Sequence, residues 1–94
     1  MNNYNITLGQ TYYNKGTFNP KAEASMLIGN HGEQIKIILK DQGEITTSIN
    51  RTANKNGSVR LNPGNVWLEF LHKNYVLGDI LTFKVVSPDE IQIL

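Results

Sequence analysis

INRTANKNGSVRL, Ile49–Leu61, is the stretch on which the reading of this chain turns. It combines the cations Arg51, Lys55 and Arg60 with amides, hydroxyls and a glycine, and holds no Asp or Glu. It is too polar for a core segment and too rich in side-chain donors for a plain connector. Asn56-Gly57 is a strong turn dipeptide, because both residue types tolerate positive φ. The chain is therefore expected to leave a strand near Asn50, turn at Asn56-Gly57, and return as a strand from Ser58 to Asn62. Asn62-Pro63-Gly64 then ends it.

Outward from this loop the pattern is mostly that of strands. In EQIKIILK, Ile35, Ile37 and Leu39 alternate with Lys36 and Lys40, the period of a half-buried strand. Ile38 breaks the alternation, so both faces are expected to be partly covered. EITTSIN sets Ile45, Thr47 and Ile49 against Thr46, Ser48 and Asn50. With the turn Asp41-Gln42-Gly43 between them, the two strands make a hairpin. Downstream, NVWLEFLHKN has helical spacing, pairing Val66 with Phe70 and Trp67 with Leu71 at i,i+4. Asn65 is its expected cap. DILTFKVV and EIQIL close the chain as strands around Ser87-Pro88-Asp89. Upstream, Tyr4–Leu8 reads as a strand. TYYNKGTFN, Thr11–Asn19, reads as two strand ends joined by a turn at Gly16. Pro20 to Ser25 interrupts the pattern, Met26-Leu27-Ile28 is a short apolar run, and Asn30-His31-Gly32 is a turn. The expected fold is mostly β, with six or seven short strands and one convincing helix, as a small barrel or sandwich.

At 94 residues the chain is expected to form one domain, spanning 1–94. A domain of this size buries only about two-thirds of its unfolded surface. It contains no cysteine, which excludes disulfides, thiolate metal sites and thiol nucleophiles. No apolar run approaches the ~20 residues that span a bilayer. MNNYNITLGQ has no apolar core of the signal-peptide kind, so a cytoplasmic setting without a membrane partner is expected. The Asn-x-Ser/Thr triplets at Asn5, Asn50 and Asn56 are read as chance in an Asn-rich chain.

Net charge is +1, but its distribution is uneven. Residues 1–22 and 45–68 contain no acid, and together they carry Lys15, Lys21, Arg51, Lys55 and Arg60. The remaining residues hold all eight acids and four cations. If the two acid-free windows meet in space, they make a positive face suited to an anionic partner.

Catalytic constellations are not legible. His31 and His72 are far apart in sequence, and neither has a second ligand-type residue at metal spacing. Asp89-Glu90 reads as a solvated hairpin tip. No GxSxG, phosphate loop or nuclease-type carboxylate pair occurs. The chain is expected not to be an enzyme and to need no metal or cofactor.

The residue types suit nucleic acid. Phosphates are met by Arg, Lys, hydroxyls and amides. In the major groove, Arg pairs with guanine and Asn with adenine. Arg51, Thr52, Asn54, Lys55, Asn56, Ser58 and Arg60 offer that inventory, and Tyr12, Tyr13, Asn14, Lys15, Thr17 and Asn19 repeat it in kind. The alternatives are a solvated basic loop, a single-strand or RNA binder stacking bases on tyrosine, and a protein- or carbohydrate-binding β module.

The succession YYNKGTFN, EQIKIIL, INRTANKNGSVRL, the Pro-Gly turn, NVWLEFLHKN and LGDILTFKVVSPDEIQIL resembles the DNA-binding pseudobarrel superfamily. That superfamily includes the recognition domains of EcoRII-, BfiI- and NgoAVII-type restriction endonucleases and the plant B-three domain. The resemblance runs roughly from Ile6 to Leu94. It implies an open pseudobarrel of six to seven strands with one or two short helices. It also implies double-stranded DNA as partner, gripped in the major groove by two arms, here Tyr12–Thr17 and Arg51–Arg60. In restriction-enzyme members the nuclease is another domain. Arg51 and Arg60 are then candidates for guanine or phosphate. Asn54 and Asn56 would read adenine or hold the arm by bonding its own backbone. Lys15 and Lys55 suit phosphate. Tyr12 and Tyr13, alternating on a strand, would divide between the core and the sugar-phosphate backbone or a base. Asn14, Thr17, Asn50, Thr52 and Ser58 complete the expected interface. Gly57 would serve arm geometry, and Trp67 and Phe70 the core.

Overall fold

A computed structural model describes residues 3–94. The alternation in the central strands is realised in burial. In β2 (Gln34–Ile38) Ile35 and Ile37 are buried while Lys36 is exposed, and Ile38 is half-covered. Its hairpin partner is β3 (Glu44–Ser48). The other strands are β1 (Asn3–Thr7), β4 (Ile80–Ser87) and β5 (Glu90–Ile93). They form one mixed sheet in the order β1-β4-β5-β2-β3. Only β2 and β5 are parallel; the other neighbours are antiparallel.

The fold is β-rich, with five strands and three short helices rather than six or seven strands and one or two helices. The sheet ends at β1 and β3, which are not paired with each other, so the barrel is not closed. Ser58–Asn62 does not form the expected return strand. It makes single antiparallel bridges at Arg60 and Leu61.

The amino-terminal window departs most from the reading of its residues. Tyr12 and Tyr13 lie on a helix, α1 (Gln10–Lys15), not on a strand. Aromatic residues favour strands only weakly, and packing overrides that preference. Here the Tyr13 hydroxyl donates to the Tyr75 carbonyl at 3.0 Å, and α1 packs on α3 (Asn65–Asn74). Gly16 ends α1 at φ 72. A Cβ there would stand 2.8 Å from Leu68 Cγ, so glycine serves both the left-handed turn and the close approach of α3. The segment after Pro20 is also helical, as α2 (Lys21–Ser25). Its alanines and glutamate are good helix formers.

The α3 helix forms over the stretch with helical spacing and buries Trp67, Phe70 and Leu71. Asn65 is not its cap. Gly64 takes that position, with no side-chain hydrogen bond. Trp67 stacks on Phe18 at 5.0 Å, and Phe18 meets Phe83 edge-on at 5.2 Å. Phe18 thus ties the amino-terminal window into the core between α3 and the sheet. Burying a side chain of this size contributes roughly 1.5–3 kcal/mol. Among the described residues no helix is long and apolar enough to cross a membrane.

Candidate functional site

The two acid-free windows are joined by backbone pairing. Beyond β3 the chain stays extended, and Asn50 pairs with Arg60 through N–H···O bonds of 3.2 and 2.8 Å. One residue on, Leu61 exchanges bonds of 2.8 and 2.9 Å with Phe18 of the other window. Alternation then sorts the side chains. Val59 and Leu61 are buried, while Arg60 between them is only half-covered. The pairing that fastens the windows together also sets a half-covered cation, its Nε buried and without a hydrogen-bond partner, beside Tyr12 and Asn19.

The loop 51–58 is shaped by its own polar side chains. Asn50 Oδ1 accepts from the Thr52 amide (2.9 Å), the Thr52 hydroxyl (3.2 Å) and the Ala53 amide (3.0 Å). Asn56 Oδ1 accepts from the Ser58 amide (3.0 Å) and hydroxyl (2.7 Å). Asn54 bridges the loop. Its Nδ2 donates to the Ser58 carbonyl at 3.2 Å, and its Oδ1 accepts from Arg60 Nη2 at 3.1 Å. Three of the amides therefore hold the arm in shape, one of the two roles the sequence left open for Asn54 and Asn56.

Arg51 does not project from the loop. Its Nε donates to the Gly29 carbonyl (2.9 Å), Nη1 to Gly57 (3.2 Å), and Nη2 to both Ser25 and Ile28 (2.7 Å each). The Arg51 amide donates to His31 Nδ1 at 3.0 Å. A guanidinium surrounded by carbonyls after the end of α2 supplies donors that the last turn lacks. In the free chain the Arg51 guanidinium, expected at guanine or phosphate, is engaged as an anchor between these carbonyls. Ser25 completes the anchor. Only 3% exposed, its hydroxyl donates to the Lys21 carbonyl at 2.6 Å and accepts the Val59 amide at 2.9 Å.

Tyr13 is likewise structural. Its ring lies 4.5 Å from that of His72, whose Nε2 is 2.8 Å from the Tyr13 carbonyl. A carbonyl only accepts, so that nitrogen carries the proton. Tyr12 faces the other way, toward the joined windows. Its hydroxyl accepts from Lys21 Nζ at 2.9 Å and Asn19 Nδ2 at 3.2 Å, and Lys21 Nζ stands 5.0 Å from the ring centroid. Partial burial pushes the Tyr12 phenol up. The hydrogen bonds from Lys21 and Asn19 and the charges of Lys21 and Arg60 outweigh it, so the phenol lies below the ordinary 10.0. Asn14 and Lys15 are exposed on α1, with Lys15 in its last turn, and Thr17 is half-buried beyond it.

Between the windows runs an open groove of about 530 Å³, lined by Asn19, Lys21 and Ala22 on one side and Ala53–Asn56 and Ser58 on the other. A second hollow, about 450 Å³, shares Asn19 and brings Tyr12 and Arg60 together. Asn19 and Lys21, which the sequence offered only as a residue of suitable type and as a charge, line the first groove directly. Lys21 was visible as a charge in an acid-free window. Its backbone was not: it adopts φ 76, uncommon for a residue with a side chain. The one ion pair among the described residues, Lys36–Glu44 at 3.4 Å, lies on the β2–β3 hairpin. No carboxylate there pairs with Lys21, Lys55 or Arg60. Among the described residues no group of three His, Cys, Asp or Glu is placed to hold a metal.

Comparison with protein-family models, curated proteins and solved structures finds no match for this chain.

Proposed function

We propose that this chain is a double-stranded-DNA recognition module of the pseudobarrel kind, acting through the joined surface of its two acid-free windows. The observation that carries the reading is the Phe18–Leu61 pairing, which brings Lys21 and Lys55 to one groove and Arg60 to its neighbour without a paired carboxylate. A polyanion is the partner that such a surface suits. The exposed Lys55 and Lys21 meet phosphates. Arg60, with Asn54 bracketing it, is the candidate for a base edge. Asn14 and Lys15 on α1, and Thr17 just beyond it, extend the contact. Arg51, Asn50, Asn56 and Ser58 keep the loop in one shape, which lowers the ordering cost of binding.

A carbohydrate reading is less favoured, because Trp67 is 1% exposed and cannot stack on a sugar. The five-stranded open sheet is compatible with a pseudobarrel. Catalysis, where it accompanies recognition, belongs to another domain.

Selection from a random duplex library, followed by titration at two salt concentrations, tests the proposal. A short enriched motif, lost in Arg60→Ala, supports base reading. Salt-sensitive binding without enrichment leaves a non-specific duplex clamp. The absence of binding at low salt overturns the proposal.

A further inference from the structure

We propose that Asn56 is a site of spontaneous deamidation that places a carboxylate in the groove between the two windows. Asn56 and Gly57 are both exposed, Gly57 has φ 76, and a Cβ there would meet nothing within 4 Å. The nitrogen that must attack is therefore not shielded by a side chain. The electrophile is polarised by its neighbours: Asn56 Oδ1 accepts from both the Ser58 amide at 3.0 Å and the Ser58 hydroxyl at 2.7 Å. Two donors on one carbonyl oxygen stabilise negative charge as it develops there.

The reaction needs only water. Hydroxide removes the Gly57 amide proton, and the nitrogen attacks Asn56 Cγ. The bond from Cγ to Nδ2 breaks, and Nδ2 leaves as ammonia after taking a proton from water. Water then opens the five-membered imide at either carbonyl, giving aspartate or isoaspartate. Before attack, the bond from the Gly57 amide to the Asn54 carbonyl, 3.1 Å, has to open. It lies in an exposed turn, where such openings are frequent.

The consequence is electrostatic. Residues 45–68 hold no acid, and the new carboxylate would be their first. It would line the same groove as Lys21 and Lys55. An anionic ligand loses affinity when a like charge enters its site. The isoaspartate form also adds a backbone carbon, which lengthens the turn that Asn56 and Ser58 now close.

The test is incubation of the intact folded chain at mildly alkaline pH with peptide mass analysis over time, beside Ser58→Ala, Gly57→Ala and a free peptide of the loop sequence. Expected is an amide-to-acid mass change at Asn56, ahead of the exposed Asn14 and Asn62, slowed severalfold in Ser58→Ala and further in Gly57→Ala. The product fraction should elute earlier than the parent from a phosphate-bearing cation exchanger. An unchanged Asn56 overturns the proposal, as does conversion slower in the folded chain than in the free peptide. These readouts involve no DNA, so they stand or fall apart from the recognition reading.

Discussion

Arg51 Nη2 and the carbonyl oxygen of Ser25 lie 2.7 Å apart, although 26 residues separate them in the chain. This contact converts the most conspicuous cation of the loop into a fastening. With the Gly29, Ile28 and Gly57 carbonyls also bound, the guanidinium fixes the loop's first limb against the end of α2.

Arg51→Ala should therefore lower stability by about 2–3 kcal/mol, as expected when a charged donor is removed from several carbonyls. Arg51→Lys should recover less than half, because a point charge cannot reproduce the fork. Denaturant unfolding of the three proteins measures this. Both substitutions should weaken binding to every duplex alike rather than change base preference.

Ser25→Ala leaves the buried Val59 amide without its acceptor. The expected loss is about 1–3 kcal/mol. Hydrogen exchange at the Val59 amide should quicken more than at Leu81 in the sheet core. Equal change at both would mean that the hydroxyl matters only to global stability.

The Tyr12 phenol should ionise below 10.0, the ordinary tyrosine value. Tyrosinate absorbance, taken as the difference between the parent chain and Tyr12→Phe, reads it. Lys21→Met should move the midpoint upward by removing the hydrogen bond at 2.9 Å and its charge. The sign for stability follows. The folded value lies below the unfolded one, so the contribution is fully present above 10.0 and is lost as pH falls through the folded value. It is absent at neutral pH, and the window is alkaline.

Lys15, Lys21, Lys55 and Arg60 remain as cations for an anionic partner once Arg51 is set aside. If three or four of them neutralise phosphates, log K should fall with log salt at a slope of about −2.7 to −3.6, at about −0.9 per contact. Lys55→Ala and Lys21→Met should each flatten the slope by about one unit. Lys40→Ala, in the β2–β3 connection with its ammonium 5.1 Å from the Tyr75 ring, should leave it unchanged.

How much of this was legible in the sequence depends on the range of the interaction. β2, β3, β4, β5 and α3 follow local periodicity, and they formed where that periodicity stood. α1 did not follow it, because Tyr13 answers to His72 and Tyr75, some sixty residues away. The charge count picked both windows without showing that they touch, since the Phe18–Leu61 pairing is a tertiary fact. A loop-shaping role was open to Asn56 from the sequence because its bonds reach only two positions along the chain, and the same local reach gives it to Asn50. The anchoring bonds of Arg51 were not legible for the opposite reason: nothing in the sequence signals that the carbonyls of Ser25, Ile28 and Gly29 converge on it. Asn19 and Lys21 were visible as an amide and a charge but not as groove residues, because only the turn at Pro20 sets them opposite Asn54–Asn56.

The most direct measurement is amide chemical-shift mapping of the labelled chain on titration with a random-sequence duplex at low salt, where non-specific phosphate contacts suffice for binding. Expected are concerted shifts at Asn19–Ala22 and Ala53–Arg60, reversed by added salt, with the exposed Val76–Gly78 turn unmoved. Shifts confined to that turn, or none at all, would contradict a single interface built from the two windows.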